Sequence, residues 1–360
     1  MKSLATWIAV LLLSTTAACT DAAPDRGDDA VPTPTGSTES PEPTESGSPD
    51  VGVAPKVAPT PTNTLRPPHP VSLPAYFLRD FRGGDLRLEG EIGRTDAYVK
   101  HRVSYSSDDL RVSGTLSVPF GDGPHPALVL AHGYIDPAVY TNGRGMMRYQ
   151  DWLARAGYAV LHTDYRNHAF SGTDPDAERH LRLGYTADVI NAVQALRATR
   201  RVPVDDERVG LVGRSMGGGV IYNVLVAAPG LVDAAVVFAP VSSRAGDNFD
   251  RWTRDDPGRS ELSDFILEEY GDPRDGGRFW RQVSPRTFFD RITEPVMIHH
   301  GTSDDSCPIA WSRETDAALR RAGVDATFHV YEGEEHSFTT QWPLSMERTT
   351  RFLDRRLGRS

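Results

Sequence analysis

Cysteine is scarce in this sequence, with only Cys19 and Cys307 in 360 residues. If the first of them is modified, no disulfide can form within the chain. A domain without disulfides must rely on its hydrophobic core, and about 290 residues are enough to build one as a single domain. The scarcity therefore excludes a small scaffold held together by disulfides.

Basic residues are not in excess either. The chain has 39 Lys and Arg against 49 Asp and Glu, which gives a formal net charge of −10. Without a basic patch we predict no binding to nucleic acid. No internal repeat is evident, and we predict no cofactor.

Near the start of the sequence, the apolar run from Leu4 to Leu13 is too short to cross a bilayer. Lys2 precedes this run and small residues follow it, which is the pattern of an export signal. Cys19 follows two alanines and resembles the lipidated cysteine of a bacterial lipobox. We expect residues 1–19 to be a signal peptide and Cys19 to anchor an exported protein in the cell membrane, with plain secretion as the alternative.

Residues 20–70 contain almost no large apolar side chains and are rich in Pro, Thr, Ser, Asp and Glu. Such a segment cannot bury enough surface to fold. We expect a disordered linker here, which would hold a folded domain of residues 71–360 away from a membrane.

Ser215 lies in the pentapeptide Gly213-Arg214-Ser215-Met216-Gly217. A buried strand, Arg208–Val212, precedes the pentapeptide and a helical pattern follows it. A serine on a sharp strand-to-helix turn presents its hydroxyl above a sheet, and the close backbone approach requires glycine two residues before and after it. The context therefore predicts that Ser215 is a nucleophile.

A nucleophilic serine needs a base, and in architectures with this turn the acid and then the histidine follow the serine along the chain. His329 lies inside an alternating strand pattern at 326–331, where we expect it to pack. His336 lies just beyond that strand, in a loop from which a ring can reach the nucleophile. We predict that His336 is the base.

The acid is expected on the loop after the preceding strand, which reads Glu294–His300. Asp304 and Asp305 both qualify by position, and Asp305 is alternatively a solvated neighbour or a helix cap. His299 and His300 precede these aspartates, but strand alternation would direct the two rings to opposite faces. We therefore predict no metal site.

An oxyanion needs two preorganised N–H donors. The apolar strand Pro126–Ala131 ends in His132-Gly133-Tyr134, where the backbone is expected to bend towards the nucleophile. The N–H of Met216, the residue after the serine, is the second predicted donor.

Strand and helix patterns alternate regularly through the chain, which predicts an α/β protein with a doubly wound, mostly parallel sheet. Residues 242–292 interrupt this alternation with several aromatic residues among many charges. We expect a cap-like insert there, whose aromatic side chains either line a pocket or form a small core of their own.

The stretch from about Val103 to Phe352 resembles the catalytic domain of the prolyl oligopeptidase-like serine peptidases, in the α/β-hydrolase superfamily, and is also similar to esterases of the dienelactone-hydrolase type. The resemblance rests on the motifs His132-Gly133, Gly213-Arg214-Ser215-Met216-Gly217-Gly218, Tyr270-Gly271-Asp272-Pro273, His300-Gly301-x-x-Asp304 and Glu335-His336-Ser337-Phe338. It implies an α/β-hydrolase fold, assigns the acid to Asp304 rather than Asp305, and assigns the first oxyanion donor to Tyr134.

The resemblance implies a serine hydrolase that cleaves an ester or a short peptide through an acyl-enzyme. Two features depart from the family: about thirty residues separate the linker from the matching stretch, where peptidase members usually carry a β-propeller, and Tyr134 replaces a common second glycine. An envelope acyltransferase and a non-catalytic binding protein on the same scaffold are the alternatives.

Overall fold

Nine strands form one sheet in the computed structural model, which describes residues 67–358. The strands are β1 (Gly83–Arg94), β2 (Tyr98–Ser107), β3 (Leu110–Pro119), β4 (His125–Ala131), β5 (Ala159–Thr163), β6 (Val204–Arg214), β7 (Ala234–Phe238), β8 (Val296–Gly301) and β9 (Ala326–Tyr331). Their order across the sheet is β1-β2-β3-β5-β4-β6-β7-β8-β9. The pairs β1–β2, β2–β3 and β3–β5 are antiparallel, and the remaining pairs are parallel. The predicted doubly wound, mostly parallel sheet is confirmed.

Helices lie between the strands and cover the sheet. Within the described part of the chain they are α1 (Leu73–Phe77), α2 (Met147–Arg155), α3 (Gly184–Ala198), α4 (Met216–Ala227), α5 (Ala245–Trp252), α6 (Ser260–Tyr270), α7 (Arg278–Gln282), α8 (Ile309–Arg321) and α9 (Trp342–Arg356). None of the helices in residues 67–358 combines the length and apolar character that crossing a membrane requires.

The two faces of the sheet bury two separate hydrophobic cores. In β4, Ala127, Val129 and Ala131 face the core that includes α3 and α4, whereas Leu128 and Leu130 face the core that includes α2 and α9. Successive side chains of a strand point to opposite faces, so a strand covered on both sides must be apolar throughout. All seven residues of β4 are accordingly buried.

The carboxyl ends of the parallel strands meet at one edge of the sheet, which is where ligands bind in open α/β sheets. Four segments leave this edge: the turn after β4, the turn from β6 into α4, and the loops after β8 and β9. The sheet therefore brings together parts of the sequence that are far apart along the chain.

Residues between β7 and β8 form α5, α6, α7 and short 3₁₀ turns, where the sequence predicts a cap-like insert. Most of the aromatic residues there pack on one another, as in the stacked rings of Tyr270 and Phe279, whose centroids are 3.9 Å apart. Trp252 instead lines the cavity beside Ser215, together with Phe249. The predicted signal peptide, Cys19 and residues 20–66 of the predicted linker lie outside the described residues.

Candidate active site

Ser215 occupies a strained turn between β6 and α4. Its φ of +56° and ψ of −123° lie in a region that residues with a side chain rarely adopt. The Ser215 N–H donates to Phe238 O at 2.9 Å, and Gly218 N–H donates to Ser215 O at 2.9 Å. These bonds hold the turn, and strain of this kind at a chain position is typical of functional sites.

Close backbone approach explains the glycines around Ser215. A Cβ at Gly213 would lie 2.6 Å from Gly217 O, and a Cβ at Gly217 would lie 1.9 Å from Ala131 O. Only glycine fits at either position, as the pentapeptide predicts.

Asp304 and His336 are hydrogen-bonded: His336 Nδ1 lies 2.9 Å from Asp304 Oδ2. The other carboxylate oxygen accepts the backbone N–H groups of Ser306 at 2.9 Å and Cys307 at 2.8 Å. The Asp304 side chain is fully buried. Burial alone would raise the pKa of Asp304, but hydrogen bonds from His300 and His336 and the Cys307 N–H outweigh it and lower that pKa. The buried carboxylate is therefore ionised, and both of its oxygens accept hydrogen bonds.

Asp305, the other candidate for the acid, is exposed. The side-chain hydrogen bond to its carboxylate comes from its neighbour Ser306 at 3.4 Å. The geometry thus pairs His336 with Asp304, in agreement with the family motif.

A residue that the sequence did not suggest, His300, also contacts Asp304. Its Nε2 lies 3.0 Å from Asp304 Oδ2 and 2.8 Å from Cys307 O, and its Nδ1 lies 2.7 Å from Ser312 Oγ. His300 therefore contacts the same carboxylate oxygen as His336.

His299 points to the other face of β8. Its Nδ1 lies 2.7 Å from Tyr331 Oη and its Nε2 lies 3.0 Å from Thr349 Oγ1. Both nitrogens of His299 and both of His300 thus have protein partners. Among residues 67–358 no group of three or more His, Cys, Asp or Glu side chains is arranged to hold a metal ion.

Ser215 and His336 line the same cavity. In the described residues the Ser215 hydroxyl has one hydrogen-bond partner, Cys307 Sγ at 4.0 Å, and no hydrogen bond joins it to His336. Hydrogen bonds between a nucleophile and its base are often long in ligand-free enzymes and tighten when substrate binds.

The turn after β4 lies directly against the serine. A Cβ at Gly133 would be 3.1 Å from Ser215 Cβ, so the turn that leads into Tyr134 packs against Ser215. Across residues 67–358 neither Tyr134 N–H nor Met216 N–H donates to a protein acceptor. Two free backbone donors beside a serine are the composition of an oxyanion hole.

Behind this turn lies a buried polar network that the sequence did not reveal. The Asp164 carboxylate accepts four neutral donors: Ser113 Oγ, Tyr140 Oη, Asn142 Nδ2 and Gly143 N, at 2.6 to 2.8 Å. His132 Nδ1 is 2.6 Å from Gly133 O, and burial lowers the pKa of His132 to about 3, with a further contribution from His162 and His168. The neutral ring supports the backbone that carries Tyr134.

The cavity at this edge has a volume of about 600 Å³ and extends under the cap. Its deeper walls are apolar and come from both the sheet domain and the cap: Leu183, Val220, Val241, Phe249, Leu262, Ile266 and Val283. Near its mouth the Tyr134 ring lies 4.7 Å from the Arg182 guanidinium and 5.0 Å from that of Arg259. A cavity of this size and composition suits a small ligand with an apolar group.

Comparison with known proteins places this geometry in a family. Residues 145–360, more than half of the chain, match the model of the prolyl oligopeptidase family. The dipeptidyl aminopeptidase BIII of Pseudoxanthomonas mexicana is 28% identical over 221 residues, which are 60% of this chain and 31% of that protein. The carboxymethylenebutenolidase of Pseudomonas putida is 31% identical over 144 residues, 37% of this chain and 58% of that protein. The chain spans about a third of the length of the first curated relatives that it matches.

The fold is also that of known structures. An acylaminoacyl peptidase of Pyrococcus horikoshii superposes with a TM-score of 0.57 at 19% identity, over 73% of this chain and 42% of that one. Together with the sheet order and the family match, this likeness identifies an α/β-hydrolase fold. The chain belongs to the prolyl oligopeptidase family.

Proposed function

We propose that the domain of residues 71–360 is a serine hydrolase that cleaves an ester or short-peptide bond through an acyl-enzyme. Membership of the prolyl oligopeptidase family supports the broad class, a peptidase or esterase. The observation that carries the proposal is the buried Asp304–His336 hydrogen bond beside the strained turn of Ser215. An intact pair of this kind argues against a non-catalytic binding protein on the same scaffold.

The first chemical step follows from the protonation states. Asp304 is ionised and only accepts hydrogen bonds, so His336 carries its proton on Nδ1 and leaves Nε2 as the base. The Ser215 hydroxyl turns from Cys307 towards Nε2, loses its proton and attacks the substrate carbonyl. The negative oxygen that forms accepts the N–H groups of Tyr134 and Met216.

The second half of the reaction reverses these roles. The imidazolium of His336, stabilised by Asp304, protonates the leaving group, and the C–O or C–N bond breaks to give the acyl-enzyme. Water, deprotonated by His336, then attacks the ester of Ser215 and releases the acid.

Covalent labelling tests the proposal. A fluorophosphonate probe is expected to label the wild-type protein and not Ser215→Ala. Equal labelling of both proteins, or of neither, would contradict the nucleophile. A panel of p-nitrophenyl esters and aminoacyl nitroanilides then separates esterase from peptidase activity, with Ser215→Ala as the blank.

We further propose that the protein is exported and anchored through a lipid on Cys19. The support is the sequence alone: a lysine, a short apolar run and small residues before the cysteine. Cys19→Ser is expected to move the protein from the membrane fraction to the soluble fraction of the cells that export it. Retention of the variant in the membrane fraction would contradict lipidation.

A further inference from the structure

Three arginines near the candidate active site have no carboxylate partner among the described residues: Arg148, Arg214 and Arg251. They donate instead to backbone carbonyls of the two loops that carry His336 and Asp304. The bonds are Arg148 to Phe338 O at 2.7 Å, Arg214 to His336 O at 3.3 Å, and Arg251 to Asp305 O at 2.5 Å and Ser306 O at 2.8 Å. Within residues 67–358 these three guanidinium groups therefore have no counter-charge in direct contact, although the same loops also carry acidic residues such as Asp304, Asp305 and Glu335.

The arginines on the cap side of the cavity differ in this respect. Arg182 pairs with Glu178 at 2.6 Å, and Arg259 lies 3.5 Å from both Glu178 and Asp256. The charges there balance. Arg214, which also lines the cavity, differs from them because no carboxylate contacts it among the described residues.

Some N–H donors of Arg214 have no acceptor among the described residues. Its Nη2 donates to His336 O and, at 2.6 Å, to Ser337 Oγ. A guanidinium has five N–H donors, and in residues 67–358 neither Nε nor Nη1 of Arg214 has an acceptor. Arg214 lines the cavity, so these donors are available to a ligand.

The position of Arg214 relates it to one half of the substrate. In the proposed mechanism His336 donates its proton to the leaving group, so the leaving group must lie beside His336. Arg214 is bound to the backbone of His336 and is the neighbour of Ser215 in the chain. Its guanidinium therefore contacts the loop that carries His336.

The field of these arginines reaches the nucleophile. Burial and then the charge of Asp304 raise the pKa of the Cys307 thiol to about 12, while the hydrogen bond with Ser215 and the charges of Arg251 and Arg214 act to lower it. Cys307 Sγ lies 4.0 Å from Ser215 Oγ. A group bound next to the serine is therefore within reach of these two cations, which oppose the charge of Asp304.

We propose that Arg214 binds a carboxylate in the leaving group of the substrate, while Arg148 and Arg251 add to the attraction. The preferred substrates are then esters or peptides whose leaving group carries a free carboxylate. A planar guanidinium fork matches a carboxylate in two parallel hydrogen bonds. This inference rests on the proposed hydrolase function and names the substrate class of the same site.

A matched pair of esters tests it: the acetyl esters of 3-hydroxybenzoate and 3-hydroxybenzamide. They share the acyl group and the ring, and differ in the charge of the leaving group. The wild-type protein is expected to prefer the benzoate ester in kcat/KM by about tenfold, the scale of one charged hydrogen bond. Arg214→Gln is expected to bring the ratio close to one, Arg214→Lys to keep part of the preference, and added salt to reduce it.

Ser337→Ala is the matched control, because it removes a hydrogen bond from Arg214 without removing the charge. This variant is expected to lower kcat/KM for both esters and to keep their ratio. A wild-type ratio near one, or a ratio unchanged in Arg214→Gln, overturns the inference about Arg214. The hydrolase function stands even then if fluorophosphonate labels Ser215 and the protein hydrolyses the benzamide ester. If Ser215 is not labelled and neither ester is cleaved, both proposals are wrong.

Discussion

The backbone of Glu334 lies against Gly301 so closely that a Cβ at position 301 would be 2.0 Å from Glu334 O. Ser303 N–H donates to the same carbonyl oxygen at 3.0 Å. Gly301 ends β8 three residues before Asp304, and Glu334 precedes His336 by two residues. The contact therefore holds the loop that carries Asp304 against the loop that carries His336.

Gly301→Ala is expected to lower kcat by about a hundredfold, because displacing a positioned group by about 1 Å costs that much. The free energy of unfolding is expected to fall by about 1–3 kcal/mol from overpacking. Gly93→Ala is the control, since the nearest atom to its added Cβ is Lys100 Cβ at 3.9 Å. Ester hydrolysis and urea unfolding measure both effects; unchanged kcat in Gly301→Ala would show that the loops adjust freely.

Glu334 is 2% exposed, and its carboxylate accepts the N–H groups of Thr339 and Gln341. We predict that Glu334→Gln reduces kcat, because one oxygen becomes an NH₂ group that faces a donor and loosens the His336 loop. The free energy of unfolding is expected to fall by about 1.5–3 kcal/mol, the scale for a hydrogen bond to a charged group. The exposed neighbour provides the comparison: Glu335→Gln has the same chemistry and is expected to change neither quantity.

Asp304→Asn is expected to reduce kcat by about 10⁴-fold, because the amide favours the wrong tautomer of His336. Asp305→Asn removes the same charge one residue away and is expected to have little effect. The comparison uses one ester substrate at a fixed pH for both variants. The opposite pattern would reassign the acid to Asp305.

His162 introduces a pH dependence of stability. Its ring is fully buried, and neither ring nitrogen has a hydrogen-bond partner among the described residues. Burial, followed by the charge of Lys100, lowers the pKa of His162 from 6.5 to about 3. Below pH 6.5 the unfolded chain therefore binds a proton that the folded chain does not bind. The free energy of unfolding is not reduced by His162 above pH 6.5, and it falls as the pH decreases towards 3.

His162→Leu is expected to make the fall in the free energy of unfolding between pH 6.5 and pH 4 shallower, by up to about 1.4 kcal/mol per pH unit. Urea unfolding at several pH values measures the slope. Ser117→Ala alters a nearby buried hydroxyl that does not titrate and is expected to shift stability equally at each pH. If the free energy of unfolding of His162→Leu falls with pH as steeply as that of the wild type, His162 is not the cause of the pH dependence.

The parallel part of the sheet was predictable from the sequence because strands buried on both faces are continuously apolar, as in β4 and β7. The antiparallel strand β1 was not predicted, since most of its residues are exposed and its pattern is polar. The positions of Ser215 and His336 directly after strands were enough to propose them as nucleophile and base. The choice of Asp304 over Asp305 needed the family motif, because both positions follow the same strand.

The residues that support the site could not be predicted from the sequence, for a different reason. Glu334, Asp164 and His300 acquire their roles from partners that only the folded chain brings close, such as Asn142 for Asp164. Nothing in the local sequence distinguishes a buried carboxylate surrounded by N–H donors from one on a solvated loop.

The cavity has walls of two origins. The reacting groups come from turns at the edge of the sheet, whereas Phe249 and Trp252 come from the helical segment inserted between β7 and β8. Mutations in that segment are expected to alter which ligands fit the cavity without changing Ser215, Asp304 or His336. The shape of the cavity and the residues proposed for catalysis can thus change through mutations in different segments of the chain.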